Sequence, residues 1–380
     1  MEQSATGFRV LLAILVLLIG CKDIERPPIY TLLSGRSSSG RVGIVSTDFG
    51  SAGRFTSMTP DGVPIPGLSP IHSDAIARFQ NNQVTIINRL NRDNIQVLEP
   101  SFGFLTVQEF SVGSGSNPHD YIRVSDALGY VTLYERSFLQ MVQPATGFIA
   151  GNIPLAAYAD SDGVPEMDGM LLEGDLLYVA LQRLDRNQSN FPPAGISKLI
   201  EIDIRTNTVT GVYDFPAPNP FGRLKRVTLF GSPYLVVSCP GRLGFISALD
   251  GGVVAFDLTA RAFRPGFLFA ETAAAGDILD VEIVNDSLGY VSVLDAAFNK
   301  SVQQFNPSSG VRTAVLFTSP ASTGTVAGLL YADGYLYAGD ASFSQPGIRI
   351  FDALNGGAQI TPVPVNVGLR PYSLIQIPPL

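Results

Sequence analysis

One element recurs along this chain and leaves few folds open to it: a short apolar strand that opens on Gly-Tyr or a close copy. It is clearest as Gly129-Tyr-Val-Thr-Leu-Tyr134, Leu176-Leu-Tyr-Val-Ala-Leu181, Gly289-Tyr-Val-Ser-Val-Leu294 and Gly334-Tyr-Leu-Tyr-Ala338. Looser copies at Arg41-Val-Gly-Ile-Val45, Gln83-Val-Thr-Ile-Ile87 and Pro233-Tyr-Leu-Val-Val237 bring the number to seven. Self-similarity on a period of tens of residues marks a repeat architecture, in which no unit buries its apolar face alone. After each copy comes a strand ending on Asp or Pro and a turn, such as Ile200-Glu-Ile-Asp203 or Val253-Val-Ala-Phe-Asp257. A fourth, outer strand follows, as in Thr208-Val-Thr-Gly-Val-Tyr213.

An inner strand precedes each copy except the first, for example Ala75-Ile-Ala-Arg-Phe79, Tyr121-Ile-Arg-Val124, Arg226-Val-Thr-Leu-Phe230 and Val281-Glu-Ile-Val284. The last run, Tyr372-Ser-Leu-Ile-Gln-Ile377, has the inner-strand pattern and no unit after it. The two gaps complement each other. The expected fold is therefore all-β: a seven-bladed β-propeller of four-stranded antiparallel blades, closed by pairing of the C-terminal strand with the N-terminal blade. Composition agrees, with 38 Gly and 27 Pro for the turns and only 15% charged residues. Trp is absent, which argues against Trp-marked propeller repeats. Two longer insertions, Arg183 to Ser197 and Arg242 to Gly252, follow second strands and should share one face.

Residues 41–380 carry the propeller, and the chain before them reads differently. A lone Arg9 precedes Val10-Leu-Leu-Ala-Ile-Leu-Val-Leu-Leu-Ile19, an apolar stretch too short to span a bilayer and suited to a signal peptide. Its end, Leu18-Ile-Gly-Cys21, resembles the lipobox of bacterial lipoproteins. That resemblance implies a signal peptide over residues 1–20, lipid on Cys21, and a membrane held through that lipid. Residues 21–40, with Pro27-Pro28 and Ser34-Gly-Arg-Ser-Ser-Ser-Gly40, read as a flexible tether. Lys22 stands where inner-membrane retention would need Asp, so the expected location is the outer membrane.

Asn117-Pro-His-Asp120, Gly129-Tyr-Val-Thr132 and Pro144-Ala-Thr-Gly147 resemble the YVTN/lactonase-like propeller repeat. The resemblance is to the fold and says little about chemistry. A net charge of −8 with no Lys/Arg cluster excludes nucleic acid as an expected partner. With Cys21 under lipid, Cys239 has no disulfide partner, and its apolar run reads as core.

The candidate chemistry is a carboxylate in register. Asp74, Asp120, Asp168 and Asp280 each precede an equivalent second-strand residue by the same interval, which sets them at the starts of inner strands around one mouth of the channel. His72 and His119 share two of those segments. The set reads either as a site for a hard cation or polar ligand, or as turn aspartates accepting backbone N–H groups where blades meet. Repulsion within such a ring calls for cations or donors close by. Asp160-Ser-Asp162-Gly-Val-Pro-Glu166 resembles part of a Ca²⁺ loop and makes Ca²⁺ a candidate cofactor on Asp160, Asp162 and Glu166. No nucleophile elbow, Walker motif or zinc-protease motif is present.

Two functions follow. One is a lipid-anchored envelope propeller that binds a protein, peptide or glycan without catalysis. The other is a metal-dependent, lactonase-like hydrolase at the channel mouth.

Overall fold

The computed structural model describes residues 40–243, 248–321 and 326–379; the expected signal peptide, Cys21 and the expected tether up to residue 39 lie outside them. Seven antiparallel sheets follow one another around a central axis. Each has four strands, and the fifth adds the short Phe269–Ala270 beside its third strand. In blade 1 the innermost strand is Arg370–Ile377, paired with Arg41–Thr47 from Arg41↔Ile377 to Thr47↔Arg370. The two ends of the chain thus close the ring. The other inner strands are Ala75–Gln80, Pro118–Arg123, Met167–Glu173, Phe221–Leu229, Asp277–Asn285 and Val326–Ala332, for blades 2 to 7.

Second strands are buried almost end to end, as in Gly129–Leu133 and Tyr335–Asp340. Neighbouring blades cover both of their faces, so they carry continuous apolar runs instead of an alternation. Outer strands keep the alternation, and Thr208–Asp214 alternates exposed and half-buried residues along its length.

The Gly-Tyr pair has a mechanical basis. A Cβ on Gly289 would sit 2.6 Å from Phe305 Cε1, so only glycine lets the third strand approach there. The tyrosine then reaches out of its own blade. Tyr130 donates its hydroxyl to Asn207 (2.5 Å) and Tyr290 to the Ala353 carbonyl (2.8 Å); in blade 7 the matching bond, to the Pro60 carbonyl (3.1 Å), comes from Tyr337, two residues past Tyr335 of the pair. Each acceptor lies in the third-to-fourth strand turn of the next blade. Such buried phenols satisfy their polar end while packing the ring, and they lock adjacent blades at the far end of the channel.

Candidate functional site

Inner strands start at the other end, where second strands also turn into third strands. Here every blade but the second carries a register shift between inner and second strand: Pro371/Ser373 in blade 1, then Pro118/Asp120, Met167/Met170, Phe221/Lys225, Ile278/Asp280 and Ala327/Leu329. A bulge leaves a backbone N–H outside the ladder and re-aims the local side chain. The aspartate of the preceding blade takes up that N–H. Asp120 accepts from Met170 N (2.7 Å), Asp168 from Gly222 N (2.7 Å), and Asp280 from Leu329 N (2.8 Å).

The same carboxylates meet side-chain donors. Arg78 of blade 2 forks onto both oxygens of Asp120 and donates to the Met170 carbonyl. Asp168 receives Gln182 Nε2 and lies 3.0 Å from His119 Nδ1, whose ring stacks on Tyr134. In blade 5 the register position of Asp120 and Asp280 is held by a cation instead. Lys225 pairs with Val236, two residues beyond Tyr234, as Asp280 pairs with Ser292, two beyond Tyr290. Its ammonium donates to Asp280, Glu282 and the Val281 carbonyl, all within 2.8 Å. Polar staples therefore join blades 2 through 7 around the channel. Asp74 departs from the set: the ladder of blade 2 is continuous from Ala75↔Asn88 to Gln80↔Gln83, and Asp74 pairs with Arg89 of its own blade. His72 stays beside it, its Nδ1 3.2 Å from the Asp74 backbone.

Inside this ring is a cavity of about 450 Å³. His119, Asp120, Asp168 and Asp280 line it, with Glu282. Sequence reasoning missed the cations that share it: Arg78, Arg89, Arg223, Lys225 and Lys300. The signal was there in Arg78, a charge inside an otherwise apolar inner-strand run.

The face around the mouth is aromatic. Phe49, Phe191, Phe298 and Phe343 are exposed, each on a second-to-third strand turn of a different blade. Three hold a left-handed backbone, with φ of 60° at Phe49, 42° at Phe191 and 62° at Phe298. That conformation costs a bulky residue about 1–3 kcal/mol. Arg370 lies over both Phe49 and Phe343, 5.6 and 4.6 Å from their centroids.

The acidic loop lies apart from the cavity lining. Asp160 and Asp162 each cap a following N–H, and Glu166 Oε2 accepts from Leu184 N at 3.0 Å. One oxygen of each acid (Asp160 Oδ2, Asp162 Oδ2, Glu166 Oε1) is buried without a hydrogen bond. Oxygens of that kind suit calcium. Two guanidiniums stand among them, however: Arg183 donates to the Ala159 carbonyl, and Arg186 Nε is 3.9 Å from Glu166 Oε1. Among the described residues no three acids, histidines or cysteines converge as a metal-holding group. Burial, then the charges of Asp162 and Asp160, push the Glu166 carboxyl up to about 8. Burial likewise raises Glu271 to about 7, against the N–H groups of Ile278 and Gly251 that it accepts.

These shifts set a pH dependence. Unfolded glutamates lose their protons near pH 4.5, whereas the folded chain holds these two to about 7 and 8. Across that window the unfolded state binds fewer protons, so stability is full below it and falls as pH rises through it. The melting temperature is expected to drop between pH 5 and 8, with Glu166 alone contributing on the order of 3 kcal/mol. Glu166→Gln should flatten the curve. A curve that rises with pH, or one unchanged by the substitution, would show that Glu166 is ionised in the fold. Millimolar calcium raising the melting temperature at pH 8 but not at pH 5 would assign the loop to a cation that replaces the proton.

Closed ring, four-stranded blades and a lined central cavity define a β-propeller. No family model matches the chain, and no curated protein matches it. Solved structures do. The chain is similar to apo AztD from Citrobacter koseri, with a TM-score of 0.52 and 13% identity over 89% of this chain and 97% of that one. It is similar to the dihydro-heme d1 dehydrogenase NirN in complex with DHE, with a TM-score of 0.58 and 12% identity over 93% and 82%. Kuenenia stuttgartiensis hydrazine synthase matches with a TM-score of 0.53 and 14% identity over 72% and 74%. Identities this low carry the fold alone.

Proposed function

We propose that this protein is a lipid-anchored envelope propeller that binds a protein, peptide or glycan through the face around its channel mouth, without catalysis. The observation that carries the reading is the exposed phenylalanine rim, three of whose four members hold a left-handed backbone. Exposed aromatics grouped on one face mark interaction surfaces. Cys21 supplies the anchor, and Lys22 directs it to the outer membrane. A photo-crosslinking residue at Phe343 or Phe298 is expected to trap a discrete envelope partner in cells. The same residue at Phe148, exposed on the outer strand of blade 3, should trap none; equal products at all three sites would remove the face from the argument.

The anchor has its own test. The wild-type chain should sediment with membranes and resist detergents selective for the inner membrane, whereas Cys21→Ala should leave the lipid-modified fraction. Metabolic labelling with a fatty acid that persists in Cys21→Ala would place the lipid elsewhere.

His119 keeps the hydrolase reading alive, because its Nδ1 is oriented by Asp168 in the way a general base is held. Asp120 and Asp280 do not add to it, since both oxygens of each already accept from backbone or cationic donors. Turnover of any lactone that His119→Gln abolishes would favour this second reading.

A further inference from the structure

We infer that the central cavity takes a small organic anion, a carboxylate or comparable oxyanion on an apolar body, with Arg223 as its main ligand. The inference deepens the binding reading above and rests on it only in holding that the protein has a ligand.

Five cations among the described residues line the cavity, and Arg223 stands apart from the other four. Arg78 is engaged by Asp120 and the Met170 carbonyl, and Arg89 by Asp74 and the Tyr372 hydroxyl. Lys225 has three donors and three acceptors, and Lys300 is not free either. Arg223 differs. Among the described residues no carboxylate comes within ion-pairing distance of it, and its one hydrogen bond runs across the channel to the Ala77 carbonyl of blade 2. A guanidinium offers five donors in a planar fork. None of the Arg223 nitrogens is sealed away unpartnered, so the remaining donors open onto the cavity they line. Burial, with Arg78 as a second cause, brings its pKa down to about 10, which leaves it charged at neutral pH.

The surroundings select the ligand's sign and shape. Nearby carboxylates already hold their own donors, so they leave little for a cationic ligand to bind. Ile76, Leu279, Leu294 and Leu374 supply apolar wall, with Phe49 at the mouth. The volume of about 450 Å³ is that of an ordinary small-molecule site. Oxyanion on a fork and hydrocarbon on leucine is the pairing that satisfies both surfaces.

The test titrates the full lipidated chain in nanodiscs by calorimetry with hexanoate, benzoate, inorganic phosphate and hexylamine. Hexanoate or benzoate should bind, and Arg223→Gln should weaken that binding at least tenfold. The exposed Arg226→Gln, whose partner Glu173 lies outside the cavity, should leave it unchanged. Arg223→Lys keeps the charge but loses the fork, and an intermediate loss is expected even if the glutamine variant folds poorly. Hexylamine binding as well as hexanoate, phosphate binding alone, no anion binding, or affinity indifferent to both Arg223 variants would each overturn the inference. Crosslinking from Phe343 is read separately: it should persist in Arg223→Gln, so loss of the small anion and loss of the partner face are distinguishable.

Discussion

A chain ended at Leu369 is expected to yield no folded propeller. The deletion removes Arg370–Ile377, the inner strand of blade 1, and with it a ladder that runs the length of Arg41–Thr47. Leu374, Ile375 and Ile377 are all at most 5% exposed, and losing three such side chains removes about 1.5–3 kcal/mol each. Tyr372 goes too, and with it a hydroxyl that holds Arg89. The sum reaches the whole stability of an ordinary domain, about 5–15 kcal/mol. Beyond that, the cut bares an edge strand whose neighbours are apolar, a template for aggregation. Far-UV circular dichroism and size exclusion should show loss of cooperative unfolding and of the monomer peak. A permutant separates topology from mere damage. Because Arg41 pairs with Ile377, a two-residue turn can join Ile377 to Arg41 in a chain that starts at Arg370 and ends at Leu369. That permutant should fold. A stable, monomeric truncation would show that the ring does not need closing by this strand.

This closure was legible from residues alone because second strands, covered on both faces, keep a run such as Gly289-Tyr-Val-Ser-Val-Leu294 that no other position in a blade needs. Seven of those with six preceding inner strands and one left over define the ring. Inner strands were harder to bound. Blade 5 begins at Phe221, earlier than the apolar run from Arg226 indicates, because Arg223 and Lys225 sit where the strand meets the channel and carry no apolar signature. The aspartate register was visible as spacing, yet spacing cannot reveal a bulge. Asp120, Asp168 and Asp280 lie at register shifts and reach the next blade, while Asp74 has the same interval before an unshifted ladder and stays in its own. The phenylalanine rim left no trace either, since Phe49, Phe191, Phe298 and Phe343 fall in turns of different sequence that only the closed ring brings to one face.

Asp120→Ala is expected to be the most damaging single substitution at the channel. The carboxylate is 2% exposed and has four donors: the Arg78 fork, Tyr121 N at 2.8 Å and Met170 N at 2.7 Å. Alanine removes all of its acceptors at once. Arg78 is then left as an unpaired cation among apolar walls, and Met170 N–H at a bulge has no ladder partner to return to. Removing one member of a buried pair costs about 3–5 kcal/mol, which for a chain of this size lowers the melting temperature by roughly 5–10 °C. Asp120→Asn should cost less, because one amide oxygen still accepts from Met170 while the amide nitrogen opposes Arg78. Arg78→Met combined with Asp120→Asn should be milder than the two single losses added together, since the unpaired charge is gone. Asp74→Ala is the control: its carboxylate is one-third exposed and Arg89 keeps the Tyr372 hydroxyl, so a smaller loss than that of Asp120→Ala is expected. Should Asp120→Ala melt with the wild type, the carboxylate would not be joining blades 2, 3 and 4, and its place in the channel would have to be explained by a ligand instead.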